Sequence, residues 1–190
     1  MKKPVVLVIM DGVGRGDGGP GDAVKQARTP TLDMLLERYP HTWLKAHGTA
    51  VGLPTDEDMG NSEVGHNALG CGQVYSQGAK LVEESIESGK LFQSKTWTDL
   101  VSNCLNQNKA LHFLGLLSDG NVHSNISHLF AMLKAAKAAG VRRAYCHILL
   151  DGRDVPATSA LTYVDRLEEL LASLREPRLD YAIASRGGAS

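Results

Sequence analysis

AYCHILLDGRD, residues 144–154, is a short apolar run closed by an aspartate and a glycine. A run of that length ended by a turn signal reads as a buried strand, and glycine after the aspartate permits the positive φ of a sharp turn. The pattern recurs. Pro4 to Met10 closes on Asp11-Gly12, and Ala110 to Leu117 closes on Ser118-Asp119-Gly120. A weaker run covers Tyr181 to Ala184.

Helical patterns alternate with these runs. Ile126, Leu129, Phe130, Leu133 and Ala136 keep helical spacing, with Ser124 or Asn125 as N-cap and Gly140 at the C-terminal end. Leu161, Val164, Leu167, Leu171 and Leu174 form a second stripe, and Thr31–Tyr39 and Leu81–Ser88 are shorter candidates. Strand–helix–strand order predicts an α/β fold: a parallel sheet with helices on both faces. Ligands in such sheets bind beyond the carboxyl ends of the strands, where the Asp-Gly turns fall.

Of the 190 residues 43% are hydrophobic and 22% charged, which is globular composition with material for a core. The net charge of −1, without a long basic run, argues against nucleic acid or a membrane surface as partner. Cys71, Cys104 and Cys146 form no CxxC pair, so the expectation is neither a zinc knuckle nor a disulfide framework but a reducing cytoplasm. Val5 to Met10 is too short for a signal peptide core, and no apolar stretch approaches a membrane span.

Gly12 to Gly21 holds six glycines in ten residues but lacks both the P-loop ending and dinucleotide-turn spacing, so it reads as a flexible loop. Gly70 to Gly78 reads as a hinge or domain crossing.

The segment DMGNSEVGHNALG, residues 58–70, places Ser62 among small and polar residues before a helical pattern. Ser62 reads as a helix N-cap, a position that also faces unpaired N–H groups suited to phosphate. Serine needs activation to be a nucleophile, and the Gly-x-Ser-x-Gly elbow is missing, which favours metal activation over a hydrolase triad. His66, one turn onward, either orients the site or makes a structural contact; Glu63 reads as exposed or capping. Asp11 is either a metal ligand at a strand end or a turn residue bonding its own backbone. Arg153 and Asp154 either clamp an anionic, hydroxylated ligand or form a surface ion pair. His123 either faces a ligand or caps a loop. His128 and His147 read as structural.

Taken together, VVLVIMDGVG (5–14), DAV (22–24), TPTLD (29–33), HGTAVGLPTDEDMGNSEVGHNALGCG (47–72), LLSDGNVHS (116–124) and LLDGRDVPATSA (149–160) resemble the cofactor-independent (2,3-bisphosphoglycerate-independent) phosphoglycerate mutases of the alkaline phosphatase superfamily. The resemblance implies interconversion of 3-phosphoglycerate and 2-phosphoglycerate through a phosphoserine. It makes Ser62 the nucleophile and, with Asp11, a metal ligand, and makes His123, Arg153 and Asp154 substrate-binding. It implies two divalent metal ions, manganese being the expected one, and a monomer in full-length members. Residues 1–76 would be the first part of a discontinuous phosphatase-like domain, and residues 77–190 part of an inserted transferase-like domain. Family members continue beyond position 190 and supply further metal ligands there. After Ser185 their pattern leads to a phosphate-binding arginine where this chain has Ala189. The expectation is therefore an N-terminal segment with little or no activity alone. The alternatives are a metal-dependent phosphatase, or a non-catalytic module completed by a separate C-terminal chain.

Overall fold

The computed structural model describes residues 3–76 and 78–188. It divides into two compact units, Met1–Lys45 and Ala46–Ser190.

The first unit holds two helices, α1 (Ala23–Gln26) and α2 (Pro30–Arg38). The Asp22 carboxylate caps α1, accepting from Lys25 N at 3.0 Å, and also accepts from Gly18 N at 3.0 Å. Gln26 Nε2 donates to Gly19 O at 2.8 Å, so the glycine-rich loop is tied down although it has no regular structure. Pro30 starts α2, where its missing N–H costs nothing.

Pro4 to Met10 corrects one expectation. It forms no strand, and Val5 is 93% and Val8 72% exposed. A strand needs neighbours for its backbone N–H and C=O groups, and among the described residues no strand pairs with this run.

The second unit begins with a 3₁₀ turn (Gly48–Val51) and α3 (Ser62–Cys71), which enclose a small cluster of Val51, Leu53 and Val64. Helices α4 (Gly78–Glu87), α5 (Lys90–Gln93) and α6 (Lys95–Asn106) follow. Then strands β1 (Leu111–Leu117), β2 (Arg143–Leu150) and β3 (Asp180–Gly188) alternate with α7 (Ile126–Ala138) and α8 (Ala160–Leu174). The strands form one parallel sheet in the order β1-β2-β3, flanked by helices, so the α/β architecture is the one expected.

The local causes are conventional. Asn125, not Ser124, caps α7 by accepting from Ser127 N at 2.8 Å. Gly140, at φ +87°, turns the chain out of α7 and lets Val141 N donate to Ala136 O at 3.0 Å. Strand β2 alternates, burying Ala144, Cys146 and Ile148 against Leu133 of α7 and Leu167 and Leu171 of α8. Helix α6 was not foreseen. Ser94 caps it, accepting from Trp97 N at 3.2 Å, and Trp97, Val101 and Cys104 pack with Leu111, Ala136 and Val141. Strand β3 is longer than the four residues expected.

Candidate active site

Three loops of the second unit converge at the carboxyl edge of the sheet. The first, between the 3₁₀ turn and α3, is built by close backbone approach. Gly60 is obligatory there, because a Cβ on it would fall 1.8 Å from Ala46 O. Gly60 N donates to His47 Nδ1 at 2.9 Å, and Gly48 N donates to Asp58 O at 3.0 Å.

These bonds deliver Ser62 to the first position of α3, where its side chain is exposed. The N-cap is Asn61, whose Oδ1 accepts from Val64 N at 3.0 Å, so the capping role read for Ser62 moves back one residue. That places the Ser62 hydroxyl at the positive end of the helix without a capping role. His66 Nδ1 lies 2.7 Å from Ser62 O and 3.1 Å from Ser62 Oγ. A carbonyl oxygen only accepts, so Nδ1 carries the proton and donates. His66 in this tautomer orients Ser62 and cannot remove its proton.

The second loop follows β1. Its Ser118 hydroxyl, 1% exposed, donates to Asp151 Oδ2 at 2.6 Å. Asn121 sits in the left-handed region at φ +60°. Its Nδ2 donates to Asp58 Oδ1 at 3.0 Å, and its Oδ1 accepts from Asn125 Nδ2 at 2.6 Å. Asp58 lies four residues before Ser62 and Asn121 two before His123, so this contact joins the serine segment to the histidine loop. His123 itself is exposed.

The third loop follows β2 and depends on Asp151, which the sequence reading treated only as a turn residue. Asp151 is 4% exposed, and its Oδ1 accepts from Arg153 N at 2.9 Å and Asp154 N at 3.1 Å. Burial alone would push its carboxyl up. The Ser118 hydroxyl and the amides of Arg153, Asp154 and Gly152 outweigh that and hold it below the ordinary carboxylate value. The turn presents an exposed Arg153 and a half-buried Asp154. Among the described residues no ion pair joins these two, so the surface-pair reading loses ground. Asp154 packs on the second loop: a Cβ on Gly120 would lie 2.7 Å from Asp154 Cβ.

Asp119 accepts from Tyr163 Oη at 2.5 Å and pairs with Arg166 at 3.5 Å, bracing the second loop against α8. Asp151, Asp58 and Asn121 are the organising residues that sequence reasoning missed. The only signal was their place inside DMGNSEVGH, SDGNVHS and DGRD.

Asp11 belongs to the first unit, where its carboxylate accepts from Gly12 N at 3.1 Å in a turn with Gly12 at φ +76°. Hard oxygen donors such as Asp11 and Ser62 suit manganese-type ions. Among the described residues, however, no group of three or more His, Cys, Asp or Glu side chains is arranged for a metal. Ala189 lies outside the described residues; Arg186 is exposed on β3. Cys71 is exposed, Cys104 and Cys146 are buried, and all three are free. No helix among the described residues is long and apolar enough to cross a membrane.

The BPG-independent PGAM N-terminus family model (iPGM_N) matches residues 82–189, more than half of the chain. A probable 2,3-bisphosphoglycerate-independent phosphoglycerate mutase of Leptospira interrogans (serovar Lai) is 49% identical over 188 residues, covering 98% of this chain and 34% of that protein. The 2,3-bisphosphoglycerate-independent phosphoglycerate mutase of Trypanosoma brucei brucei is 50% identical over 188 residues, with the same coverage of 98% and 34%. A crystal structure of Leishmania mexicana phosphoglycerate mutase at low cobalt concentration matches with a TM-score of 0.83 and 46% identity, over 95% of this chain and 33% of that one. The chain spans about a third of the length of these relatives. With the three loops, the motif order and the family match in agreement, the chain belongs to the 2,3-bisphosphoglycerate-independent phosphoglycerate mutase family, in its N-terminal region.

Proposed function

We propose that this chain supplies the nucleophile and part of the substrate clamp of a phosphoglycerate mutase that interconverts 3-phosphoglycerate and 2-phosphoglycerate. The observation that carries the reading is the convergence of the Ser62, His123 and Arg153–Asp154 segments through the Asp58–Asn121 bond and the Gly120–Asp154 contact. Ser62 Oγ attacks phosphorus. Its bond to phosphorus forms as the bond to the substrate oxygen breaks, and that oxygen takes up the proton given up by the Ser62 hydroxyl and leaves as the glycerate hydroxyl. Arg153 pairs with the anionic glycerate, Asp154 accepts from its hydroxyls, and His123 donates to it, so that it stays bound until the other hydroxyl takes the phosphoryl group back. His66 holds the Ser62 side chain in place through its Nδ1–H.

Asp11 of the first unit and Ser62 of the second are each kept as a ligand for a divalent ion; oxygen donors suit magnesium, calcium or manganese, and manganese is the one proposed. Such an ion supplies positive charge that lowers the cost of the serine alkoxide. Two oxygen donors do not complete an octahedral shell, so further ligands come from elsewhere. Residues 1–76 and 77–190 fall to a phosphatase-like and a transferase-like part respectively. The family-model match beginning at residue 82 supports that division. A reducing cytoplasm is the compartment proposed, and a monomer is the state proposed for the completed protein.

The test is complementation. The purified chain is expected to show little or no conversion alone. Co-expression with the region of the Leptospira relative that lies beyond the match should restore it, and Ser62→Ala should abolish the restored activity. Robust conversion by the chain alone, or by the restored Ser62→Ala protein, would overturn the proposal.

A further inference from the structure

A second cluster of chemistry-bearing side chains lies on the sheet itself. His112 of β1 and His147 of β2 share a face: the register sets His112 opposite Tyr145 and Leu114 opposite His147. A bulge between β2 and β3 adds a third group. The register runs from Cys146↔Ile183 to His147↔Ser185, skipping Ala184, so a hydroxyl rather than a methyl stands beside His147. The outcome is a line of polar atoms. His147 Nδ1 lies 2.8 Å from Ser185 Oγ, and His147 Nε2 lies 2.9 Å from His112 Nδ1. The imidazole planes are 19° apart with centroids 5.2 Å apart. His112 is exposed and His147 half-buried, so a solvated ion reaches both.

We propose that His112 and His147 form a two-histidine site for a divalent transition-metal cation, with Ser185 positioning His147. Nitrogen bonds of about 2.1 Å made at right angles span about 3.0 Å, and at the tetrahedral angle about 3.4 Å. The 2.9 Å already present is therefore within about half an ångström of a chelating pair. Ser185 accommodates the metal-ready tautomer: its hydroxyl can accept from Nδ1–H of His147, which leaves the Nε2 lone pair for the metal, the arrangement that orients most metal-binding histidines. In this tautomer and without metal, His112 Nδ1–H donates to that lone pair. On binding, the proton moves to Nε2 of the exposed His112, so two N–metal bonds form, two waters leave the ion, and no net proton is released. Among the described residues no third His, Cys, Asp or Glu completes a metal group here, so water fills the remaining positions. An all-imidazole donor pair selects zinc, nickel or copper over manganese or magnesium. The site does not depend on the proposed mutase reading.

The experiment uses the full 190-residue chain. Zinc titration by calorimetry and copper EPR at one equivalent should give one dominant site, with two nitrogens coupled to Cu²⁺. His112→Gln and His147→Gln should each weaken zinc binding at least about tenfold, and Ser185→Ala by about tenfold. In the unaltered protein, imidazole ¹⁵N resonances of His112 and His147 should shift together on adding zinc, a readout that needs no variant to fold. Unshifted resonances, or a dominant site that survives the His112→Gln/His147→Gln double substitution, would overturn the proposal.

Discussion

Asp151→Ala should unfold the β2 loop's architecture at a cost that the structure lets one work out. The carboxylate is 4% exposed and accepts from the Ser118 hydroxyl and from the amides of Arg153 and Asp154. Removing it leaves the buried hydroxyl without its acceptor, a cost of about 1–3 kcal/mol. The two amides lose charge-assisted bonds, but at an exposed turn water recovers part of that, so the sum is about 3–5 kcal/mol. Asp151→Asn keeps an oxygen for both amides, and its amide can donate to a rotated Ser118 hydroxyl, so it should cost only about 1 kcal/mol. The assay is guanidinium unfolding followed by fluorescence of Trp97, which is buried in the second unit, in a Trp43→Phe background. The sign of the pH dependence follows from the lowered folded pKa. Asp151 contributes fully above its unfolded value of about 3.9, and that contribution is lost as pH falls from there through the folded value. The gap between Asp151 and Asp151→Asn should therefore be widest near neutrality and shrink below about pH 4. An Asp151→Ala protein within about 0.5 kcal/mol of the parent, or a gap that widens in acid, would refute the reasoning.

Four further outcomes follow from the same geometry. Asn61→Ala should lower stability by about 1 kcal/mol through loss of the α3 cap, whereas Ser62→Ala should leave stability unchanged and abolish phosphoenzyme formation in the complemented protein, checked by denaturation and phosphopeptide mapping. Gly60→Ala should destabilise the 46–64 segment by more than about 2 kcal/mol, seen as lost amide protection around Val51, Leu53 and Val64, because the backbone must move away from Ala46 O. Asn121→Gly keeps the left-handed turn but deletes the bond to Asp58, so amides of residues 55–61 should exchange several-fold faster; Asn121→Ala should add about 1 kcal/mol of backbone strain to that loss. Arg153→Ala should raise KM of the complemented mutase at least about tenfold with little change in stability, since the guanidinium is exposed.

How far the sequence could be read depended on whether a residue's partners lie close to it in the chain or in the same sheet. β1, β2, α7 and α8 follow the apolar spacing closely, because each buries a stripe against its immediate neighbours. Val5 to Met10 carries the same strand signal and forms no strand, because pairing is a property of two segments and the signal reports one. Helix α6 carries a weaker signal, because its buried face is Trp97, Val101 and Cys104 while the exposed Leu100 and Leu105 blur the stripe. The motif residues Ser62, His123, Arg153 and Asp154 were legible as chemistry-bearing types at loop positions. The Asp58–Asn121 bond was not, since 63 residues separate its ends. The His147–Ser185 contact was equally hidden, because a one-residue bulge decides which side chain meets the ring.

The exposed apolar run from Val5 to Met10 has a consequence for handling. Six apolar residues in a row, lacking a charge and open to solvent, are a template for strand addition by any passing polypeptide, including a sister molecule. Lys3 and Asp11 bracket it as electrostatic gatekeepers, and Pro4 blocks extension from the amino side. This one segment should therefore govern how much of the polypeptide is recovered from inclusion bodies rather than lysate.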